Sequence, residues 1–545
     1  MRNEQVSFTN RDALWQTLKQ SPDQQWDVIV VGGGIIGAGV LREATRRGLK
    51  TLLIEQRDFA WGTSSRSSKM VHGGLRYIAQ GDIKLTKHSV QERERLLTEA
   101  PGLVERMGNY FLLKKGQFPG RIAMGSVLTI YDKLAGIKDN RYLDKKSLIE
   151  HFPFINREGL KGACYYTDTA VDDARLVLRV LQESVQAGGQ VLNYVQAKKL
   201  ITCNKTNNQV NGLTIENIES GEQIELKSSV VVNATGAWAD RLRNEVVDEK
   251  RIRPLRGSHL VFSSKQLPVK DTLILFHPVD KRPVFIFPWE GASLVGTTDL
   301  DHTGNLDQEA CITNEEVEYL LQVVASNFPK SNLSRKDVIS SYSGVRPVIG
   351  SDKSKDPSKE RRDHAVWADK GLVTVSGGKL TTFRLTAIDT LNAAQPWLKK
   401  TEAKELSDKV FNTPTISKEI ALNERNWINR ITGRYGINAQ HILANTDKNE
   451  TALIEETQFC LSECRWAAKH ESVVHLDDLL LRRTRLGLLL KNGAEQLFSK
   501  LALICQQELN WGSEKWQKEV SRYQEIWQQH YSLPTDSLPA ERGEK

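Results

Sequence analysis

Long apolar runs are missing from this sequence of 545 residues, and no uninterrupted apolar stretch is long enough to span a bilayer. The first residues, MRNEQVSFTNRDALWQTLKQ, lack the apolar core of a secretory signal peptide, so no such signal is expected. We therefore expect a cytoplasmic protein without a membrane-spanning segment.

Cysteine is also scarce. The six cysteines are scattered along the chain, which is typical of reduced thiols in a cytoplasm and not of a disulfide framework. Cys460 and Cys464 lie four residues apart, on one face of a predicted helix. Two ligands do not make a metal site, so we interpret both as packing residues and expect no bound metal.

Charge of one sign is not in large excess. The formal net charge of +8 is mild for this length, and it permits attraction to an anionic substrate or lipid surface. No basic stripe is interleaved with aromatic residues, so nucleic acid is not an expected partner. The length suits two or three domains with a substantial hydrophobic core.

Residues 27–55 carry the most informative pattern. A β-branched run at 28–31 predicts a buried strand, the motif GGGIIG follows at 32–37, and a helix then leads to a second strand at 51–54. Such glycines allow a tight turn against a pyrophosphate, the helix N-terminus binds the phosphates, and the acid after the second strand binds a ribose. This pattern predicts a dinucleotide site with the candidate contacts Gly32, Gly33, Gly34, Ile35, Gly37, Glu55 and Gln56.

A loop rich in small hydroxyl residues, GTSSRSSK, follows at 62–69 and leads to HGGLRY at 72–77. Hydroxyl groups this close to a dinucleotide fold can donate hydrogen bonds to phosphate and ribityl oxygens. A flexible surface loop is the alternative interpretation. Two glycines beside a histidine and an arginine favour a backbone that lies against a flat ring. The candidate cofactor contacts here are Thr63, Ser64, Ser68, Lys69 and Gly74.

Two later predicted strands also end in glycine motifs. The strand at 229–233 runs into Ala-Thr-Gly, and the strand at 371–375 runs into SGGKLTT at 376–382. We expect both ends to approach the cofactor, through Gly236, Gly378, Leu380 and Thr381. Between them, residues 253–300 predict a series of antiparallel strands.

The order of these pieces decides between cofactors. An NAD enzyme of this type normally has a complete second mononucleotide-binding half directly after the first. Here the pieces are dispersed around a long β insertion, which favours tightly held FAD with its flavin under the inserted sheet.

The predicted fold class is α/β: a Rossmann-like FAD-binding domain interleaved with a β-sheet substrate or cap domain, plus a C-terminal α-helical domain. We expect a polar lead-in at 1–25, the FAD-binding domain at 26–400 and its insertion mainly at 100–165 and 250–345. The helical domain is expected at 410–535, with helical runs at 451–469 and 476–490, before a tail at 536–545.

This arrangement resembles the flavoproteins related to D-amino-acid oxidase and, among them, the FAD-dependent glycerol-3-phosphate dehydrogenases. The resemblance extends from about residue 25 to 500 and rests on TSSRSSK (63–69), HGGLRY (72–77), VDDARL (171–176), GSH (257–259), GTTD (296–299), SGVRP (343–347), RDH (362–364), GGKLTT (377–382), LDD (476–478) and RRT (482–484). Two features depart from the family. Trp61 stands where a small residue is usual, and a four-cysteine cluster is absent, so we expect no iron–sulfur centre.

The resemblance implies oxidation of sn-glycerol 3-phosphate to dihydroxyacetone phosphate, with hydride transfer from C2 to flavin N5. A phosphate dianion needs cations that stay charged and can fork onto two oxygens, which favours arginine. Arg76, Arg346, Arg362 and Lys379, with Tyr77, lie in the motifs that match the family's substrate pocket.

His72 and His259 are both candidates for the base that takes the hydroxyl proton, because a neutral imidazole titrates in the right range. Arg346 and Lys379 are expected to act in catalysis as well. A helix that starts at Leu380, with Lys379 at its head, is expected to stabilise negative charge on the reduced flavin.

The resemblance implies a membrane quinone as electron acceptor, with oxygen as the alternative. An amine or amino-acid oxidase on the same fold stays open, as does a non-catalytic FAD-binding protein. A homodimer stays open too.

Residues 118–134 predict an amphipathic helix. Apolar side chains fall near one face and cations flank them; these residues are Phe118, Ile122, Val127, Leu128, Tyr131, Leu134, Arg121, Lys133 and Lys138. Such a face either packs in a core or lies on an anionic membrane surface. A quinone is confined to lipid, so the family resemblance implies peripheral attachment to the inner face of the cytoplasmic membrane.

Overall fold

The computed structural model describes residues 7–535 except 9, 80, 204–207, 351–362, 400–408, 413–424 and 445–446, with all side chains in this range but those of 76, 79 and 425. Its strands are β1 (Gln25–Val31), β2 (Thr51–Ile54), β3 (Val104–Lys114), β4 (Arg141–Asp144), β5 (Leu160–Val171), β6 (Gln190–Leu192), β7 (Val195–Cys203), β8 (Gln209–Asn217), β9 (Gln223–Asn233), β10 (Ile252–Ser263), β11 (Thr272–Phe276), β12 (Pro283–Trp289), β13 (Ala292–Gly296), β14 (Leu300–Asp301), β15 (Val338–Ile349), β16 (His364–Asp369) and β17 (Leu372–Gly377).

The α-helices are α1 (Arg11–Gln20), α2 (Ile35–Arg46), α3 (Leu75–Ala79), α4 (Ile83–Glu99), α5 (Arg121–Ala135), α6 (Lys145–His151), α7 (Asp173–Gln186), α8 (Ala239–Arg243), α9 (Asn314–Asn327), α10 (Phe383–Ala394), α11 (Arg425–Tyr435), α12 (Ala439–Leu443), α13 (Lys448–Thr451), α14 (Leu461–His470), α15 (Leu486–Leu489), α16 (Phe498–Leu509) and α17 (Ser513–His530). None of these helices is both long and apolar enough to cross a membrane, as far as the described residues go.

The main path of the first sheet has the strand order β16-β17-β9-β1-β2-β6, in which all strands but the edge strand β16 run parallel. Off this path, β8 pairs antiparallel with β9, and β7 pairs antiparallel with β8. The β-branched residues of β1 are buried, and α2, α7 and α10 contribute to the same core. Val31, the last residue of β1, pairs with Ile54 of β2 and Asn233 of β9. The segments that follow these strands therefore meet at one edge of the sheet, which is where α/β folds bind ligands.

The second sheet has the order β14-β10-β13-β12-β11-β3-β5-β4, and β15 also pairs with β10. The antiparallel strands predicted between 253 and 300 are β10 to β13, although β11 also pairs in parallel with β3. The structure contains two sheets, one of them with a parallel set of strands, and the chain after β17 is helical. These features confirm the predicted α/β fold class. The domain boundaries given above stay predictions.

The C-terminal part is helical, but two of its predicted runs are shorter than expected. In the run predicted at 451–469 the α-helix spans only Leu461–His470, and the run predicted at 476–490 contains a π-helical segment, Asp478–Arg483, before α15. The consecutive buried arginines Arg482 and Arg483 both pair with Asp58. The π-helical segment is therefore the part of the chain from which both arginines reach Asp58.

The predicted apolar face at 118–134 is divided in two. Leu128 and Tyr131 are buried, whereas Phe118 is 84% and Ile122 is 86% exposed. Phe118 lies before α5 begins, so helical spacing does not apply to it. Residues 122 and 128 lie six apart, which places them about 120° apart around an α-helix. The prediction of a single apolar face at 118–134 was therefore wrong.

Candidate functional site

The glycine motif forms a tight turn between β1 and α2. Gly32 has φ +112°, and a Cβ atom there would lie 2.6 Å from the carbonyl oxygen of Ala234. A Cβ atom on Gly37 would lie 1.8 Å from the carbonyl oxygen of Gly32, so only glycine lets the helix approach the turn. Both positions play the roles that the motif predicts.

The N-terminus of α2 points into this turn without a capping side chain of its own. Gly34 is its N-cap, and the backbone N–H of Ile35 donates to Oγ of Ser64 at 3.0 Å. Oε2 of Glu55 accepts the N–H of Gly33 at 2.7 Å, and Oε1 accepts the N–H of Arg57 at 2.9 Å. Burial raises the pKa of Glu55, and these two backbone hydrogen bonds oppose that rise. The turn thus places the N-terminus of α2, with its partial positive charge, beside the carboxylate of Glu55.

These groups line one elongated cavity. The predicted residues in its wall are Gly32, Gly34, Ile35, Glu55, Gln56, Thr63, Ser64, Gly236, Gly378, Lys379 and Leu380. Glu55 follows β2 and Lys379 follows β17, and β1 and β9 lie between these two strands. Three strand spacings correspond to about 14 Å. The cavity therefore extends along the edge of the sheet, as an extended dinucleotide requires.

Open backbone along this wall suits the same ligand. A Cβ atom on Gly236 would meet nothing nearer than Pro347, at 4.0 Å, and one on Gly34 would meet only the Ser64 side chain within 4 Å, at 3.1 Å. Bare glycine backbone beside a helix N-terminus is the surface that a pyrophosphate contacts. The residues present fit FAD.

Other predicted cofactor residues lie behind the wall. The N–H of Gly33 and the packing of Gly37 build the turn itself. Gly74 has φ +79° beneath the Tyr77 ring, and Oγ1 of Thr381 donates to the carbonyl oxygen of His72 at 3.1 Å. Ser68 contacts His259. Direct contact of these residues with the cofactor stays a prediction.

Lys69 lies deeper than expected. Its side chain is fully buried, and Nζ donates to Asp173 at 2.9 Å and to the carbonyl oxygen of Ser65 at 2.6 Å. Burial, together with the nearby guanidinium of Arg485, lowers the pKa of Lys69 to about 7 against the attraction of Asp173. The ammonium group is engaged in holding the serine-rich loop, so the geometry does not favour a direct cofactor contact.

Several residues of the cavity wall lie outside the sequence motifs and were not among the predicted contacts. They include Trp61, Trp238, Gln196 and Arg241. Trp238 comes two residues after the Ala-Thr-Gly motif, so its position in the chain was a usable signal. Gln196 and Arg241 offer none, because β7 and α8 reach the cavity only through the fold.

The predicted substrate cations form two groups. Nη1 of Arg346 donates to Oδ1 of Asp299 at 3.0 Å, and Nη2 donates to Oγ1 of Thr297 at 3.3 Å. Nζ of Lys379 donates to Oγ of Ser89 at 3.0 Å and lies 3.7 Å from the centre of the Tyr77 ring.

These two groups are connected through the backbone. Pro347, the neighbour of Arg346, lines the cavity together with residues 376–380, and Ile349 of the same strand packs against Gly377. The side chain of Arg76 and all of Arg362 lie outside the described residues, so their predicted roles stay predictions.

The two histidines differ in environment. His259 is buried, stacks on Tyr342 at 4.6 Å, and its Nε2 lies 3.0 Å from Oγ of Ser68. Its Nδ1 has no hydrogen-bond partner among the described residues. Burial and the charges of Arg346 and Lys69 hold the pKa of His259 well below its usual value, so this imidazole is neutral. His72 is only half-buried.

The helix expected to start at Leu380 starts later. α10 begins at Phe383, after the N-cap Thr382, and Gly377 and Gly378 both have positive φ. The backbone needs these residues to turn out of β17 before a helix can form, so Lys379 does not head a helix. Leu380 lies in the cavity wall as part of this turn.

Two family models match the chain. The model described as FAD dependent oxidoreductase covers residues 27–386, and the C-terminal domain of alpha-glycerophosphate oxidase covers residues 394–516.

Curated relatives are similar over most of the length. The aerobic glycerol-3-phosphate dehydrogenase of Staphylococcus haemolyticus is 34% identical over 401 residues, which is 72% of this chain and 71% of that protein. The enzyme of the same name from Bacillus subtilis is 31% identical over 513 residues, or 89% of this chain and 91% of that protein.

Solved structures share the fold. The glycerol-3-phosphate dehydrogenase from Bacillus halodurans, complexed with FAD, superposes with a TM-score of 0.76 at 24% identity, covering 98% of this chain and 100% of that one. The L-alpha-glycerophosphate oxidase from Mycoplasma pneumoniae, with FAD bound, gives a TM-score of 0.57 at 17% identity, covering 71% and 98%.

Proposed function

Because this chain belongs to the aerobic glycerol-3-phosphate dehydrogenase family of FAD-dependent oxidoreductases, we propose that it oxidises sn-glycerol 3-phosphate to dihydroxyacetone phosphate. The family resemblance read from the sequence is confirmed, and FAD is the cofactor, as predicted. When bound, FAD supplies the acceptor for the hydride that leaves C2 of the substrate.

One observation carries the choice of substrate. Lys379 lines the cavity, and Arg346 directly precedes the cavity-lining residue Pro347, so two cations belong to segments that form this part of the wall. A carboxylate substrate needs one such cation, whereas a phosphate dianion suits two. Arg346 can offer a fork of N–H groups to two phosphate oxygens, and Lys379 a compact charge.

His259 is our first choice for the group that takes the hydroxyl proton. It is neutral, and its Nδ1 has no partner among the described residues, so Nδ1 is an acceptor in the tautomer whose Nε2–H donates to Ser68. Arg346 would hold the phosphate while the imidazole removes the proton from the C2 hydroxyl. His72 is the second candidate, and it is distinguished by comparing His72→Gln with His259→Gln in the pH dependence of kcat/KM.

An anaerobic titration tests the proposed function. Adding sn-glycerol 3-phosphate to the oxidised holoenzyme should bleach the flavin absorbance with a stoichiometry near one, and amino acids should leave it unchanged. Bleaching by an amino acid alone would favour an amino-acid oxidase. A flavin that no substrate reduces would favour a non-catalytic role.

The acceptor is proposed to be a membrane quinone, reached by peripheral attachment to the inner face of the cytoplasmic membrane. Phe118 and Ile122 support this surface, because both are exposed. Phe118 lies just before α5, and Ile122 lies on α5 with the exposed cations Arg121 and Lys133. Apolar side chains beside cations suit an anionic lipid headgroup layer. A homodimer stays open as the assembly.

Oxygen is the second candidate acceptor. The C-terminal model that matches residues 394–516 is described from an alpha-glycerophosphate oxidase, which favours this alternative. Measuring hydrogen peroxide formation against reduction of a short-chain quinone, with the same enzyme and substrate, separates the two acceptors.

A further inference from the structure

Trp61 lines the FAD cavity. Its ring is 8% exposed and lies 5.9 Å from the ring of Trp238, which lines the cavity too. The guanidinium carbons of Arg57 and Arg66 lie 5.4 Å and 5.0 Å from the Trp61 ring. The Trp61 indole therefore packs against three side chains.

The indole also bonds to a distant part of the chain. Nε1 of Trp61 donates to Oε1 of Glu309 at 2.9 Å. The other oxygen of Glu309 lies 2.7 Å from Nη2 of Arg66, and the Glu309 side chain is only 9% exposed. A hydrogen bond to a buried, paired carboxylate is stronger than one at the surface.

Asp307, two residues before Glu309, makes a second contact with a residue of the cavity wall. Its carboxylate accepts from Nη1 of Arg241 at 2.7 Å, and its carbonyl oxygen accepts from Nη2 of Arg57 at 3.3 Å. Arg241 lines the cavity with Trp238 and Glu55. Residues 307–309, which we call the strap, therefore contact the cavity-wall residues Trp61 and Arg241 and also Arg57, which follows Glu55 and Gln56.

We propose that Trp61 is a cofactor-retaining residue, which lines the adenosine half of the FAD site and is held in the cavity wall by its hydrogen bond to Glu309 of the strap. FAD leaves only when this half of the site opens, so this hydrogen bond slows its release. The proposal rests on FAD binding and not on the identity of the substrate, so it survives if glycerol 3-phosphate proves to be the wrong one.

The rate of FAD release from the holoenzyme tests this proposal. The rate is measured at 25 °C from the rise in free-flavin fluorescence after dilution. Trp61→Phe keeps a ring in the wall but loses the hydrogen bond, and should release FAD about tenfold faster. Trp61→Ser also loses the ring and should release it about a hundredfold faster.

Trp15→Phe is the matched control. Nε1 of Trp15 donates to Oε2 of Glu222 at 2.9 Å, the same bond at the same length, but neither residue lines the FAD cavity. This variant should release FAD at the wild-type rate.

The result that overturns the proposal is a Trp61→Phe holoenzyme that releases FAD at the wild-type rate. If Trp61→Ser fails to fold, Trp61→Phe alone decides. Thermal unfolding of each apoprotein separates the proposal from a merely structural role, because faster release is expected with an unchanged apoprotein melting temperature. A melting temperature that falls in proportion to the release rate would also overturn it.

Discussion

The guanidinium of Arg346 is held by the carboxylate of Asp299, with Nη1 3.0 Å from Oδ1. Asp299 is 4% exposed at its side chain, and Nη2 of Arg282 lies 3.5 Å from its other oxygen. Gly257 leaves room for this arrangement, because a Cβ atom there would lie 2.6 Å from Nη2 of Arg346. The proposed phosphate ligand is therefore oriented before substrate arrives.

Arg346→Ala should weaken substrate binding and leave FAD in place. Loss of one charge-assisted contact costs about 1.5–3 kcal/mol, so KM for glycerol 3-phosphate should rise about ten- to a hundredfold. Steady-state kinetics together with the flavin content of the purified variant measure both effects. An unchanged KM would remove Arg346 from the substrate site.

Asp299→Asn should have a smaller effect of the same kind, because the guanidinium remains but loses its charged partner. We expect KM to rise about two- to tenfold with kcat nearly unchanged. Asp299→Glu should recover part of the loss. A variant whose kcat falls while KM stays constant would show that Asp299 does not act through the binding of substrate by Arg346.

Gly34→Val should abolish tight FAD binding. Its Cβ atom would lie 3.1 Å from Oγ of Ser64, and its methyl groups would occupy the space before the helix N-terminus. The absorbance ratio at 450 and 280 nm reports the flavin content. Gly48→Ala is the control, because a Cβ atom on Gly48 would meet no other atom within 4 Å. Its φ of +74° predicts a modest loss of stability, but the flavin content should stay at the wild-type level. A fully yellow Gly34→Val protein would contradict the placement of the pyrophosphate.

His475 should make stability depend on pH. Burial alone would lower its pKa, but the hydrogen bonds to Glu219 and Glu519 outweigh burial and raise the pKa to about 9. Because this exceeds the unfolded value, the stabilisation is complete below pH 6.5 and is lost as the pH rises through 9, by about 3 kcal/mol at most.

Chemical unfolding at several pH values between 6 and 10 measures the effect of His475. His475→Gln keeps a neutral hydrogen-bonding side chain, so its free energy of unfolding should be lower at pH 6 and change less with pH. Equal pH dependence in both proteins would show that His475 is not the group responsible.

Replacing both Phe118 and Ile122 by Ser should abolish binding to anionic liposomes without unfolding the protein. Both side chains are more than four-fifths exposed, at 84% and 86%, and surface substitutions change stability by about 0.5 kcal/mol or less. Co-sedimentation with anionic vesicles and activity with a soluble dye acceptor measure the two properties.

Leu128→Ala is the contrasting variant on the same helix. Leu128 is 1% exposed, so its truncation should destabilise the fold by about 2–5 kcal/mol while membrane binding of the folded protein persists. Wild-type protein that never sediments with anionic vesicles would contradict peripheral attachment by any surface.

Local patterns in the sequence were sufficient for the cofactor turn. A β-branched strand, glycines at fixed spacing and an acid after the next strand are constrained by backbone sterics and by parallel pairing within some thirty residues. The positions of Gly32, Gly37 and Glu55 therefore followed from the chain alone, as did the family and FAD.

Only the tertiary structure decided which distant side chains meet. Trp61 and Glu309 lie 248 positions apart, and Lys69 meets Asp173 instead of the cofactor. The prediction of a single apolar face at 118–134 was wrong, because the start of a helix and the elements packed on it determine which residues are buried. Spacing along a chain specifies a local conformation, whereas a contact between remote residues depends on how whole elements pack, and that is a property of the complete fold.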